Sequence, residues 1–84
     1  MRIIFSKQAR GFILNLDEKN KDFLKSKIIA LANLENPLGS PSVLKVKLFN
    51  FFRLRAGNFR IFFDIENDTL SVFEIRRKNE KTYK

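Results

Sequence analysis

A chain of 84 residues without a single cysteine or histidine cannot form disulfides, Cys/His zinc sites or a nucleophilic triad that relies on a histidine base. Seventeen Lys and Arg against nine Asp and Glu leave a net charge of +8, which on so small a domain predicts attraction to a polyanion, with nucleic acid as the leading class. The competing reading is a soluble domain with a lysine-rich exterior, so the placement of the charge must decide.

One domain spanning residues 1–84 is expected. At this size folding buries only about 60% of the surface the unfolded chain exposes, so the core has to be dense. The ten phenylalanines supply that density, since each buried ring removes roughly 150–250 Å² from water. No apolar run is long enough to span a membrane, and Met1-Arg2 leads directly into Ile3-Ile4-Phe5 rather than into a signal peptide, so a cytoplasmic location is expected.

In chain order, residues 2–5 read as a short strand, and Ser6 is a natural N-cap for a helix that starts at Lys7. Ala9, Phe12, Ile13 and Leu16 recur at helical spacing and form one apolar stripe. Gly11 weakens that helix by about 1 kcal/mol relative to Ala, so packing must hold it. Asp17 is the next cap, and residues 18–34 predict a second helix with Leu24, Ile28, Leu31 and Leu34 on one face and Phe23 broadening it. Lys19, Lys21, Lys25 and Lys27 fall mainly off the stripe and read as a solvated face. Both prolines lie within residues 36–41, which therefore form the loop that ends the helical half. Residues 43–49 alternate, with Val43, Lys45 and Lys47 against Leu44, Val46 and Leu48, and fit either a strand or an irregular edge.

The most informative stretch is residues 51–60, Phe-Phe-Arg-Leu-Arg-Ala-Gly-Asn-Phe-Arg. In an extended chain Phe52, Leu54 and Ala56 point one way, while Phe51, Arg53 and Arg55 point the other. Gly57-Asn58 reads as a two-residue hairpin turn, with Gly supplying the positive φ that primed turns need. The returning strand carries Phe59, Ile61, Phe63 and Ile65 toward the core, which sends Arg60, Phe62 and Asp64 to the opposite face. Asn67-Asp68 offers a second tight turn, and residues 70–77 return as a third antiparallel strand. If Phe73 and Ile75 face the helices, Glu74 and Arg76 join the cationic face and Arg77 falls on the core side. A bulge or frayed end would bring Arg77 round instead, so both arginines stay open at this point. The tail holds Lys78, Lys81, Lys84 and the only tyrosine, Tyr83. The expected class is α+β in the order β-α-α-β-β-β, with two N-terminal helices packed on one face of a small, mainly antiparallel sheet whose other face is partly open.

Phe-Arg-Leu-Arg-Ala-Gly-Asn-Phe-Arg-Ile-Phe-Phe at 52–63, Val-Phe-Glu-Ile-Arg-Arg at 72–77 and the late Tyr83 together resemble the RelE/ParE superfamily of bacterial and archaeal toxins. The likeness runs over nearly the whole chain. It implies a RelE-like toxin of a type II toxin–antitoxin system, an mRNA interferase that cuts mRNA on the ribosome and inhibits translation. Such an endoribonuclease uses neither a metal nor a cofactor. The implied partners are the ribosome with its mRNA and a cognate antitoxin with an acidic or amphipathic segment, the toxin being a monomer alone or a heteromer with that antitoxin.

Position by position, the resemblance implies a catalytic set of Arg60 on the phosphate, Arg77 (or Arg76, if alternation holds) near the leaving group, and Tyr83 activating the 2′-hydroxyl. Arg53, Arg55, Arg76, Lys78 and Lys81 would bind RNA and its phosphates. Arginine forks neutralise non-bridging phosphate oxygens through bidentate contacts, so the chemistry is coherent without histidine. Two other readings fit the same basic strand: a ParE-like inhibitor of DNA gyrase with no catalytic step, and a non-catalytic RNA-binding domain in which Phe51 and Phe62 stack on bases.

Overall fold

The computed structural model describes residues 1–46 and 49–78. Within them the chain forms β1 (Arg2–Phe5), α1 (Lys7–Leu14), α2 (Glu18–Ala32), a 3₁₀ turn (Pro37–Gly39), β2 (Val43–Lys45), β3 (Phe52–Ala56), β4 (Phe59–Glu66) and β5 (Thr69–Arg77). One sheet holds all five strands in the order β1-β5-β4-β3-β2. β1 runs parallel to β5, and the other pairs are antiparallel. The expected α+β arrangement is therefore what the chain adopts, with β2 settled as a three-residue edge strand.

Ser6 starts α1 as its type predicts: its backbone is extended, and its hydroxyl oxygen accepts from the Ala9 N–H at 3.1 Å. Asp17 precedes α2 without a side-chain cap bond; its Oδ1 accepts from Asn20 Nδ2 at 2.8 Å instead. That bond from Asn20, with a smaller contribution from the Arg77 charge, holds the Asp17 carboxyl below its usual value. α2 stops at Ala32, two residues short of the expected end, and Leu34 is exposed rather than part of the buried stripe. The cause lies downstream. Pro37 disfavours helical backbone at Asn36, whose φ of −129° is already outside the helix, so the chain must leave α2 before it.

The core forms where α1 and α2 cover one sheet face. Ala9 and Ile13 of α1 and Leu24, Ile28 and Leu31 of α2 meet Leu54 and Ala56 of β3, Phe59, Ile61 and Phe63 of β4, and Leu70, Val72 and Ile75 of β5. Both hairpins have the turns their residues favour. Gly57 has φ +58° with Asn58 at negative φ, the pattern of a type II′ turn, whereas Asn67 and Asp68 are both left-handed (φ 53° and 58°), as in type I′. Gly57 suits the turn twice over, because a Cβ there would also crowd the Phe23 ring at 3.0 Å.

β5 departs from simple alternation. Phe62 pairs with Glu74 but Phe63 pairs with Val72, so Phe73 is the extra residue of a β-bulge. The bulge lets Val72 and Ile75, three residues apart, both point into the core. Phe73 is turned to the open face, where its ring meets Phe51 edge-on at 5.8 Å. The expectation that Phe73 faces the helices is thus corrected, while Ile75 takes its expected side.

β1 pairs with β5 only as far as Val72, which leaves the outer edge of β5 to be covered by other groups. The Ser6 N–H donates to the Val72 carbonyl at 2.9 Å and its hydroxyl donates to the Phe73 carbonyl. Gln8 then takes both backbone groups of Ile75, accepting from its N–H at 2.9 Å and donating to its carbonyl at 3.0 Å. The carboxamide stands in for a strand residue. Gln8→Ala leaves a backbone donor and acceptor beside the core unpaired and should cost about 1–3 kcal/mol. A lowered melting temperature together with faster amide exchange at Ile75 would check this; unchanged exchange would show that water replaces the side chain without loss.

Candidate nucleic-acid interface

The face of the sheet away from the helices is organised by register. Leu54, Ile61 and Ile75 pair across β3, β4 and β5 and are buried, so their sequence neighbours turn outward together. Arg55 stands opposite Arg60, and Arg60 opposite Arg76. Three guanidinium side chains therefore start from one cross-strand row that spans only about 10 Å, two interstrand spacings. One step along the strands, Arg53 pairs with Phe62 and Phe62 with Glu74.

Like charges directly opposite one another on paired strands destabilise a sheet. A bound anion removes that cost, and the surroundings suit one. Ser42, Arg53, Arg55, Arg60 and Lys78 line a concavity of about 390 Å³ at the β3–β4 hairpin end. Nε of Arg53 is buried there without a hydrogen-bond partner among the described residues, a donor open to an acceptor from outside them. Arg76 is ion-paired with Glu74 on the same face.

Of the residues singled out from sequence, Arg53, Arg55, Arg60 and Arg76 share the open face, and Lys78 joins their concavity. The Lys78 backbone N–H donates to the Asn58 carbonyl at 2.6 Å, which ties the end of β5 to the hairpin turn. Arg77 lies on the other face. Its guanidinium sits 5.8 Å from the centroid of Phe12 and 5.4 Å from that of Phe59, on the side where its charge is felt by Asp17. Tyr83 and Lys81 lie outside the described residues.

Sequence reasoning counted only Phe51 and Phe62 as aromatics on this face. Phe49 and Phe73 belong there too. Phe73 was hidden by the bulge, and Phe49 sits in the stretch whose conformation alternation left open. Elsewhere, a separate groove between β1, α1 and α2 is lined by Ile3, Phe5, Ile13, Leu14, Ile28 and Ile29 and is almost wholly apolar. No group of three or more His, Cys, Asp or Glu side chains among the described residues is placed to hold a metal ion. No helix among them is long and apolar enough to cross a membrane.

Two helices on one face of an open five-stranded sheet, with a row of arginines on the opposite face, define a small α+β protein of RelE-like architecture. The model of the ParE toxin family of type II toxin–antitoxin systems matches residues 3–82. The chain belongs to that family and is a toxin of the type II class. No curated protein matches the sequence. Among solved structures, the RelE–RelB complex from Pyrococcus horikoshii is similar with a TM-score of 0.76 at 14% identity, covering 94% of this chain and 96% of that one. The E. coli RelBE toxin–antitoxin complex gives 0.72 at 18% identity over 95% and 98%. The YoeB–YefM complex from Staphylococcus aureus gives 0.68 at 14% identity over 90% and 94%. At these identities the likeness establishes the RelE-like fold.

Proposed function

We propose that this toxin is a ribosome-dependent mRNA endonuclease whose site is the open sheet face. The observation that carries the reading is the Arg55–Arg60–Arg76 row with Arg53 beside it. Cleavage requires the 2′-oxygen to attack the adjacent phosphorus while the 5′-oxygen leaves, giving a 2′,3′-cyclic phosphate and a free 5′-hydroxyl. Charge grows on the non-bridging oxygens as the new bond forms, and a preorganised guanidinium row stabilises that charge more than the ground state. Arg60, at the centre of the row, takes the phosphate. Arg76, rather than Arg77, shares its face and stands near the leaving oxygen. Arg53, Arg55 and Lys78 hold the strand. Tyr83 is assigned the 2′-hydroxyl from the family resemblance, with Lys81 as a further phosphate contact. Without histidine the proton transfers are weakly catalysed, so alignment of the RNA by the ribosome supplies much of the acceleration.

Tyr83→Phe should keep ribosome binding while slowing single-turnover cleavage by roughly 10²-fold, the range for a lost general base. Cleavage at the wild-type rate would remove Tyr83 from the chemistry. The three solved structures compared above are toxin–antitoxin complexes, and an antitoxin is the proposed partner here, with an acidic segment over Arg53 and Arg55.

A gyrase-inhibitor reading is favoured by one observation, the ParE description of the matching family. Incubating the toxin with programmed ribosomes beside a gyrase supercoiling assay separates the two. Cut mRNA with 5′-hydroxyl ends, together with ribosome affinity that falls steeply with salt as phosphate counterions are released, supports the nuclease. Inhibited supercoiling with intact mRNA overturns it.

A further inference from the structure

The open sheet face has a second half that is aromatic rather than cationic. Phe49 stacks on Phe51 with ring centroids 5.2 Å apart and planes 21° apart. Phe51 in turn meets Phe62 and Phe73 edge-on at 6.1 and 5.8 Å. Phe49 and Phe73 are 56% and 42% exposed, and with Phe51 in contact with both they form one contiguous aromatic surface rather than scattered side chains. With Val46 these rings line a groove of about 330 Å³, whose polar wall is Glu74 and Arg76.

Register joins this groove to the arginine row. Phe62 follows Arg60 by two residues on β4, and Glu74 precedes Arg76 by two on β5, so the groove begins about 7 Å along the strands from the row. Arg76 belongs to both, standing opposite Arg60 and lining the groove. The bulge contributes as well, because regular alternation would have turned Phe73 inward.

We infer that the groove receives one unpaired nucleobase of the bound RNA, stacked on the phenylalanine rings, while the neighbouring phosphate rests on the Arg55–Arg60–Arg76 row; this rests on the RNA reading above. Every base has a π face and stacks on aromatic side chains regardless of sequence. An amphipathic helix docks its apolar stripe chiefly against apolar side chains. This groove carries a carboxylate and a guanidinium on a single wall, beside rings that cover a base's faces and leave its edge to be read. Glu74, accepting only, favours an edge that presents N–H donors. Guanine offers two adjacent donors, N1–H and the 2-amino group, to a carboxylate whose Oε2 also pairs with Arg76, so one donor meets Oε1 and the other shares Oε2. Uracil offers one N–H between two carbonyls that a carboxylate repels. The groove therefore favours guanine over uracil.

The test uses pentamers of abasic ribose phosphate that carry guanine, uracil or no base at the central position, titrated into the full chain and followed by NMR, which registers weak affinities. The guanine oligonucleotide should bind roughly tenfold tighter than the abasic one, the lower range of a lost stacking contact. The double variant Phe49→Leu, Phe73→Leu changes two exposed side chains and should keep its circular dichroism spectrum. It should bind all three oligonucleotides alike, with an unaltered salt slope because the arginines remain. Glu74→Gln should narrow the preference for guanine over uracil while keeping the advantage over the abasic centre. Equal binding of the three oligonucleotides by the wild type overturns the inference. So does a double variant that retains the wild-type preference, or one that loses only affinity for an antitoxin, which would make the groove a protein-docking surface. Base preference without ribosomal cleavage would defeat the nuclease reading and leave the groove standing; cleavage without base preference would do the reverse.

Discussion

Arg60→Ala should reduce single-turnover cleavage of ribosome-bound mRNA by at least about 10²- to 10³-fold, the usual loss when one preorganised donor to a developing oxyanion is removed. The side chain starts from the middle strand of the site, with Arg55 on one side and Arg76 on the other. Its loss therefore breaks the row at the point where a phosphate would touch all three. The fold should survive, because Arg60 lies on the face opposite Ile61 and the core. Stability should even rise by a few tenths of a kcal/mol as cross-strand repulsion is relieved. Arg60→Lys keeps the charge but not the bidentate fork, and should recover only part of the rate. An Arg60→Ala protein that cleaves normally, or one that has lost its circular dichroism signal, would show that the residue is not the phosphate group's partner. The two adjacent arginines of β5 should divide by face. Arg76→Ala should follow Arg60→Ala in cleavage. Arg77→Ala should instead appear as lost stability of roughly 1 kcal/mol, since its guanidinium is packed over Phe12 and Phe59.

Phe63→Ala should cost about 3–5 kcal/mol. The ring is fully buried in the interior strand β4 and leans against Phe52 with centroids 6.0 Å apart. A domain of this length holds roughly 4–13 kcal/mol in all, so a single substitution removes a large share of what keeps the free toxin folded. The expected result in chemical denaturation of the isolated protein is a midpoint shifted far toward zero denaturant, or no cooperative transition. Phe73→Ala provides the contrast. That ring sits on the open face at a bulge, and its removal should cost no more than about 1 kcal/mol. Equal losses from the two substitutions would mean that the aromatic cluster on the open face is as much a part of the core as the helix-covered side.

Much of this architecture was legible before any coordinates. Alternation over Phe52–Ala56 and, with Phe62 as the exception, over Phe59–Glu66 assigns each side chain to a face, because a one-residue slip would carry most of the apolar set into water. Gly57 and the Asn67-Asp68 pair marked the two turns, since their backbones tolerate the positive φ that hairpins demand. The grouping of Arg53, Arg55 and Arg60 followed from those two facts alone. Leu34 misled because helical spacing runs on past Ala32, while the end of α2 is set by Pro37 several residues later.

The remaining features depended on contacts between segments far apart in the chain. The choice between Arg76 and Arg77 was open to sequence because alternation from Ile75 turns Arg76 outward, whereas a bulge or frayed end at the close of the strand would turn Arg77 outward instead. The ladder runs regularly from Glu74 to Arg77, so the buried Ile75 fixes Arg76 on the open face; the break falls earlier, at Phe73, where burial of both Val72 and Ile75 against the helices forces one residue out of the β4–β5 ladder. The parallel seat of β1 beside β5, and the use of Gln8 to pair the backbone of Ile75 where β1 falls short, likewise join residues 67 positions apart. Local periodicity records which face a residue prefers within its own strand. Only the packing of helices against the assembled sheet determines where the ladder must break to satisfy those preferences together.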